Sequence, residues 1–158
     1  YDVTLIKENI MLDMSYLGKE FPEFVFEVDR SKIKELCLAI GDDNPIFLNK
    51  EEAVKAGYKD TPASLTFPTL MNFWGYPEIW NRMTEIGIDI KKLLHAKEEY
   101  EYFSPIYPGD VITGKVKVDS MRASSAMDMV TFKSVYSRNG EEVLVAKMTI
   151  VVPKGENA

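Results

Sequence analysis

The residues with the clearest chemical potential lie together in Ala39-Ile40-Gly41-Asp42-Asp43-Asn44-Pro45-Ile46-Phe47-Leu48-Asn49. They follow Ile33, Leu36, Cys37 and Ile40, which recur at helical spacing on one face. Gly41 suits the end of that helix, because it alone takes the left-handed conformation there at little cost. An aspartate just past a helix end, followed by a rigid Asn-Pro turn, is a carboxylate held still. The same spacing also suits a plain helix stop with turn residues, and both readings stand at this level.

Other chemistry is sparse. The chain has one histidine, His95, and one cysteine, Cys37, far apart in sequence. No cluster with zinc-ligand spacing exists, so no metal is expected. There is no nucleophile elbow, no Gly-x-Gly-x-x-Gly and no P-loop, so no nucleotide cofactor is expected either. Cys37 sits on the apolar helix face as a small core residue. His95 precedes a strand, where a structural histidine bonded to backbone is the plain expectation. Lys91, Lys92 and Lys97 form either a solvated face or a contact for a phosphate or an acidic carrier protein.

The elements that must position these residues follow from periodicity. Leu12 to Leu17 suggests a short helix stopped at Gly18, and Phe24 to Val28 a strand. Asp29 is a good N-cap for the helix that ends at Gly41. A short helix is expected from Lys50 to Ala56, with Asn49 as cap, Glu52 at the capping-box position and Gly57 as stop. Thr66-Phe67-Pro68 opens the next helix, where proline is tolerated in the first turn. Leu70, Met71, Phe73 and Trp74 leave it little polar face, so it is expected to be deeply buried. Glu78 to Ile86 and Asp89 to Leu94 are two further helical stretches.

From His95 the period becomes two. Strands are expected up to Phe103, from Val111 to Met121, from Met127 to Ser137 and from Val143 to Val152. Asn139-Gly140 is a strong hairpin turn between the last two. Helices first and long strands afterwards indicate an α+β fold with an antiparallel sheet. No linker or repeat divides the chain, so residues 1–158 are expected to form one domain with its core over about 12–152.

Composition narrows the function. The 158 residues are 46% hydrophobic and 28% charged, ordinary for a globular protein. The net charge of −6 argues against nucleic acid. No apolar stretch approaches a membrane span. Tyr1 to Ile10 lacks the apolar core of a signal peptide. With one cysteine, a cytoplasmic, reducing setting fits.

Gly41, Asp42, Asn44, Pro45 and Ile46 resemble the hydratase motif of the MaoC-like and R-specific enoyl-thioester hydratases, in which Gly-Asp-x-Asn-Pro and an aliphatic residue precede a catalytic histidine. The order Thr66-Phe67-Pro68, then Leu94-His95-Ala96-x-Glu98-x-Tyr100-Glu101-Tyr102, Pro105 and Pro108-Gly109-Asp110 resembles the N-terminal MaoC-type dehydratase group. That group includes subunits of heterodimeric 3-hydroxyacyl-carrier-protein dehydratases. The resemblance spans roughly Leu12 to Val152. It implies a hotdog fold, an antiparallel sheet wrapped round a central helix, and a hydro-lyase acting on acyl-CoA or acyl-carrier-protein thioesters in fatty acid metabolism.

It also implies Asp42 as the catalytic carboxylate, with Phe47 in place of its histidine partner. Thr66 stands where catalytic relatives carry glycine at the helix start. Asn44, Phe47, Thr66, Phe67, Asn72 and Tyr76 are the candidate substrate-binding residues, with Phe47, Asn72 and Tyr76 lining an acyl channel. The chain alone is expected to be weak or inactive. It is expected to work as a homodimer, or as a heterodimer with a His-bearing MaoC-like subunit. A non-enzymatic acyl-thioester-binding homodimer is the alternative, and a hotdog thioesterase using Asp42 a third.

Overall fold

The computed structural model describes residues 11–155. The expectation for Tyr1 to Ile10, and that for the last residues of the polar tail, lie outside them.

Among the described residues, five antiparallel strands form one sheet. Strands β1 (Phe24–Glu27), β2 (Leu94–Tyr102), β3 (Val111–Ala123), β4 (Met127–Arg138) and β5 (Glu141–Pro153) lie in the order β1-β3-β4-β5-β2. The β4–β5 hairpin turns through Asn139 at φ 54° and Gly140 at φ 82°, the paired positive dihedrals that Asn-Gly accepts. Alternation assigns one face of the sheet to the core. Ile112, Val116 and Val118 of β3, Val130, Phe132 and Tyr136 of β4, and Leu144, Ala146, Met148 and Ile150 of β5 are all buried.

Two helices share the cover of that face. Phe67 and Met71, at and within α4 (Pro68–Phe73), pack with Ile112, Tyr136 and Leu144. Ile79, Met83 and Ile86 of α5 (Ile79–Ile86) pack with Val116, Val118, Val130, Phe132 and Ile150. A single helix could not do this. The six residues of α4 rise only about 9 Å, whereas strands of 12–13 residues run about 40 Å. The chain therefore has the α+β hotdog architecture, with a short central helix extended by α5.

Caps form where the sequence places them. Asp29 accepts from the Ser31 amide at 2.7 Å to start α1 (Arg30–Ile40), and Gly41, at φ 71°, ends it. Asn49 accepts from the Glu51 and Glu52 amides to start α3 (Lys50–Lys55). Glu52 does not close the capping box, because the Asn49 amide already donates to the Pro45 carbonyl and Glu52 pairs with Lys55.

Three expectations are corrected. Asp89 to Leu94 is a turn running into β2 rather than a helix, because Asp89 accepts from the Lys91 amide and the chain bends there. Ile40, the last apolar residue of the α1 face, is 52% exposed, since the final turn swings past the core. Trp74 is 37% exposed: it follows α4, where the chain leaves the sheet, and meets the Phe26 ring edge-on at 6.0 Å.

Candidate functional site

The loop after α1 is built from interlocking local bonds. The Asp42 amide donates to the Cys37 carbonyl at 2.8 Å, and the Asp42 carboxylate accepts from the Asn44 amide at 3.1 Å. The Asn44 side chain accepts from the Ile46 amide at 3.2 Å and so caps the single turn α2 (Pro45–Leu48), with Pro45 in its first position. The carboxylate of Asp42 is thus held by its own turn, and Phe47 is carried one helical step beyond it.

Phe47 faces a cavity of about 460 Å³. Ile46 and Phe47 of α2 form one wall, and Tyr58 with Pro62 to Leu65 of the following loop another. Phe67 and Pro68 close it at the start of α4, and Tyr102 to Ile106, at the end of β2, complete it. The volume lies within the usual range for small-molecule sites, and the walls are chiefly apolar and aromatic.

Asp42 is not among the residues that line this cavity. Burial pushes the Cys37 thiol up, and the charge of Asp42 adds to that. Ser64 lines the cavity. The fold therefore brings Ser64 and Phe47 to one cavity, with Asp42 in the turn between α1 and α2. Asn44 is spent on capping α2 and is exposed.

The walls are tethered from outside. Arg30 donates to both carboxylate oxygens of Asp60 at 2.8 Å and to the Thr61 hydroxyl at 3.1 Å, which fastens the loop before the cavity to α1. The Arg30 guanidinium holds the Asp60 carboxyl far below the usual carboxylate range. Arg138 donates to Asp110 at 2.5 Å, to the Pro105 carbonyl at 3.0 Å and to the Ser104 hydroxyl at 3.1 Å, so β4 clamps the opposite wall. The Tyr102 hydroxyl reaches the Leu65 carbonyl. These tethers join residues about 30 positions apart, and no local signal announces them.

The start of α4 has few spare amides. Pro68 has none, the Phe67 amide donates to the Ser64 carbonyl, and the Thr69 amide donates to the Thr66 carbonyl. Those of Leu65 and Thr66 carry no hydrogen bond among the described residues. Thr66 itself is exposed and lies off the cavity wall.

Asn72 and Tyr76 are not brought to the cavity. Asn72 is 5% exposed and accepts from the Tyr136 hydroxyl at 2.7 Å, inside the core. Tyr76 stacks on Phe24 with centroids 4.1 Å apart. Phe24 lies opposite Gly114, where an added Cβ would sit 2.2 Å from the ring, so this aromatic pair needs glycine in β3. Among the described residues His95 does not bond to backbone either; it approaches the Glu98 carboxylate at 3.2 Å and does not line the cavity.

Comparison with known proteins agrees with this architecture. The family described as "FAS1-like, dehydratase domain region" matches residues 15–146. A protein of Saccharopolyspora erythraea called a UPF0336 protein is 34% identical over 155 residues, which is 93% of this chain and 99% of that protein. The C-terminally truncated HadBC (3R-hydroxyacyl-ACP dehydratase) complex of Mycobacterium tuberculosis superposes with a TM-score of 0.74 at 22% identity, over 86% of this chain and 96% of that one. A MaoC-like dehydratase superposes with a TM-score of 0.78 at 22% identity, over 90% of this chain and 43% of that one. The sheet order, the short central helix and the match over residues 15–146 give one answer: this chain has the hotdog fold of the MaoC-like dehydratases and belongs to the FAS1-like dehydratase-region family.

Proposed function

We propose that this chain is the acyl-binding subunit of a two-chain hydro-lyase acting on 2-enoyl or 3-hydroxyacyl thioesters, carried on coenzyme A or a carrier protein. The observation that carries the proposal is Phe47. It stands on the cavity wall, at the motif position where hydratases have histidine, while Asp42 is held in the turn that precedes it. Hydration adds the oxygen of water to C3 and a proton to C2, and dehydration reverses this. A phenyl ring can neither take nor pass that proton, and losing a general acid or base typically costs about 10²–10⁴ in rate.

What the chain does offer suits binding. The apolar cavity takes the acyl tail. A second MaoC-like chain brings the complete Asp/His pair. Its place is along β2, whose outer edge is unpaired among the described residues, beside the half-exposed Leu94, Tyr102 and Phe103. The similar HadBC structure is itself described as a complex.

The test is a hydration assay on trans-2-enoyl thioesters. The lone chain is expected to turn over far below the roughly ten per second of an ordinary enzyme. Addition of a His-bearing MaoC-like chain should restore an ordinary rate, and Phe47→His should raise the rate of the lone chain. Ordinary turnover by the unmodified lone chain, abolished by Asp42→Asn, would overturn the proposal.

A further inference from the structure

Away from the acyl cavity, the fold assembles a second group of chemistry-bearing side chains: His95, Glu98 and Tyr100 on β2, and Thr69 in the first turn of α4. A strand of plain alternation would put residues 95 and 98 on opposite faces. The register of β2 on β5 shows why they meet. His95 pairs with Ile150 and Lys97 with Thr149, so Ala96 is an extra, bulged residue that reverses the phase. Bulges commonly re-aim a side chain in this way.

Glu98 is the centre of the group. One carboxylate oxygen, Oε2, accepts from the Thr69 hydroxyl at 2.8 Å and from the Tyr100 hydroxyl. The other, Oε1, is buried, makes no hydrogen bond among the described residues and lies 3.2 Å from His95 Nε2. A small turn of the imidazole would align that pair. The Glu98 side chain is 17% exposed and that of His95 37% exposed. A carboxylate pinned by two hydroxyls therefore presents its free oxygen to a partly exposed imidazole. The Phe73 ring stands edge-on to the imidazole at 6.3 Å, and Trp80 stacks on Phe73 at 5.1 Å. The imidazole thus borders an apolar wall.

We propose that His95, oriented by Glu98, is a proton-transfer site of this chain for a 3-hydroxyacyl or 2-enoyl thioester, distinct from the Asp42 loop; this rests on the hydro-lyase reading. With Nε2–H directed at Glu98, the Nδ1 lone pair faces outward, the arrangement in which a carboxylate fixes the tautomer of a catalytic histidine. In dehydration, Nδ1 takes the proton from C2, the C2–H electrons form the new double bond, the C3–O bond breaks, and the same proton passes to the departing oxygen to give water. Hydration runs the same proton backwards. His95 is the group that touches the reacting atoms, and Glu98 is a positioning residue.

The test uses the full chain, in which His95 is the single histidine. Long-range nitrogen-15 NMR is expected to show the Nε2–H tautomer in the wild type and a mixture in Glu98→Gln. The residual hydration of enoyl thioesters, measured above the protein-free rate, should fall by about a hundredfold or more in His95→Gln. In Glu98→Gln it should fall by about tenfold, in kcat rather than KM. The exposed Glu101→Gln should leave it unchanged. Carbethoxylation of the wild-type histidine is a second arm that needs no substitution, and it should remove the same activity. No hydration above the protein-free rate, or an undiminished rate after His95→Gln and carbethoxylation, overturns the proposal while sparing the two-chain reading. That reading fails on a different result, an added His-bearing chain that brings no gain in rate.

Discussion

The Tyr136 hydroxyl donates to Asn72 Oδ1 at 2.7 Å, deep between β4 and α4. Tyr136 is fully buried, and burial raises its phenol far above the ordinary range. This bond fastens the central helix to the sheet. Tyr136→Phe should cost about 1–3 kcal/mol in chemical denaturation, because it leaves a buried amide oxygen unpaired. Acyl-thioester affinity should be unaltered. A loss of affinity without a loss of stability would instead mean that Asn72 faces the ligand.

Phe47→Ala should act in the opposite sense. The ring lines the cavity and is only partly buried, so stability should change little. Binding of an acyl thioester, followed by calorimetry, should weaken by roughly 1–3 kcal/mol, the usual worth of such an apolar contact.

Trp74 is a third case. A fully buried tryptophan would cost about 3–5 kcal/mol on truncation to alanine. At 37% exposure, with one edge-on contact to Phe26, Trp74→Ala should cost only about 1–2 kcal/mol. A larger loss that grows with protein concentration would show that a partner chain covers the ring.

The Arg30–Asp60 pair predicts a pH dependence. The Asp60 carboxyl is lowered on folding, so its stabilising contribution is present above the ordinary aspartate value of about 4 and is lost as pH falls through the lower folded value. Asp60→Asn should therefore cost about 1–2 kcal/mol at neutral pH, allowing for the exposed side of Arg30. The difference from wild type should shrink in acid. A constant difference from pH 7 to 2 would argue against this pair as its source.

The edge of β2, unpaired among the described residues, predicts association. Sedimentation equilibrium at micromolar concentration should give a dimer, either of this chain or with a second MaoC-like chain. A monomer under both conditions would leave the edge without its expected cover.

Local chemistry makes much of this protein legible in its sequence. Gly41, Asp29, Asn49 and the Asn139-Gly140 turn act on their own neighbours within a few residues, so the residue types alone state their roles. The alternation after His95 and the apolar run of α4 likewise dictate a sheet with a helix upon it, because burial demands those periods. The Asp42–Asn44–Phe47 loop is local too, and its departure at Phe47 is visible as a missing proton carrier. Tertiary structure decides everything that depends on which partner a side chain meets. Asn72 and Tyr76 share an apolar stretch with Phe67, yet Tyr136 and Phe24 claim them for the core. Trp74 reads as core by composition, but the chain has already turned away from the sheet at that point. The meeting of His95 with Glu98 turns on one bulged residue, whose place is set by the register of β2 on β5. Hydrophobic period records which face is buried; it carries no record of the long-range register that chooses the neighbours.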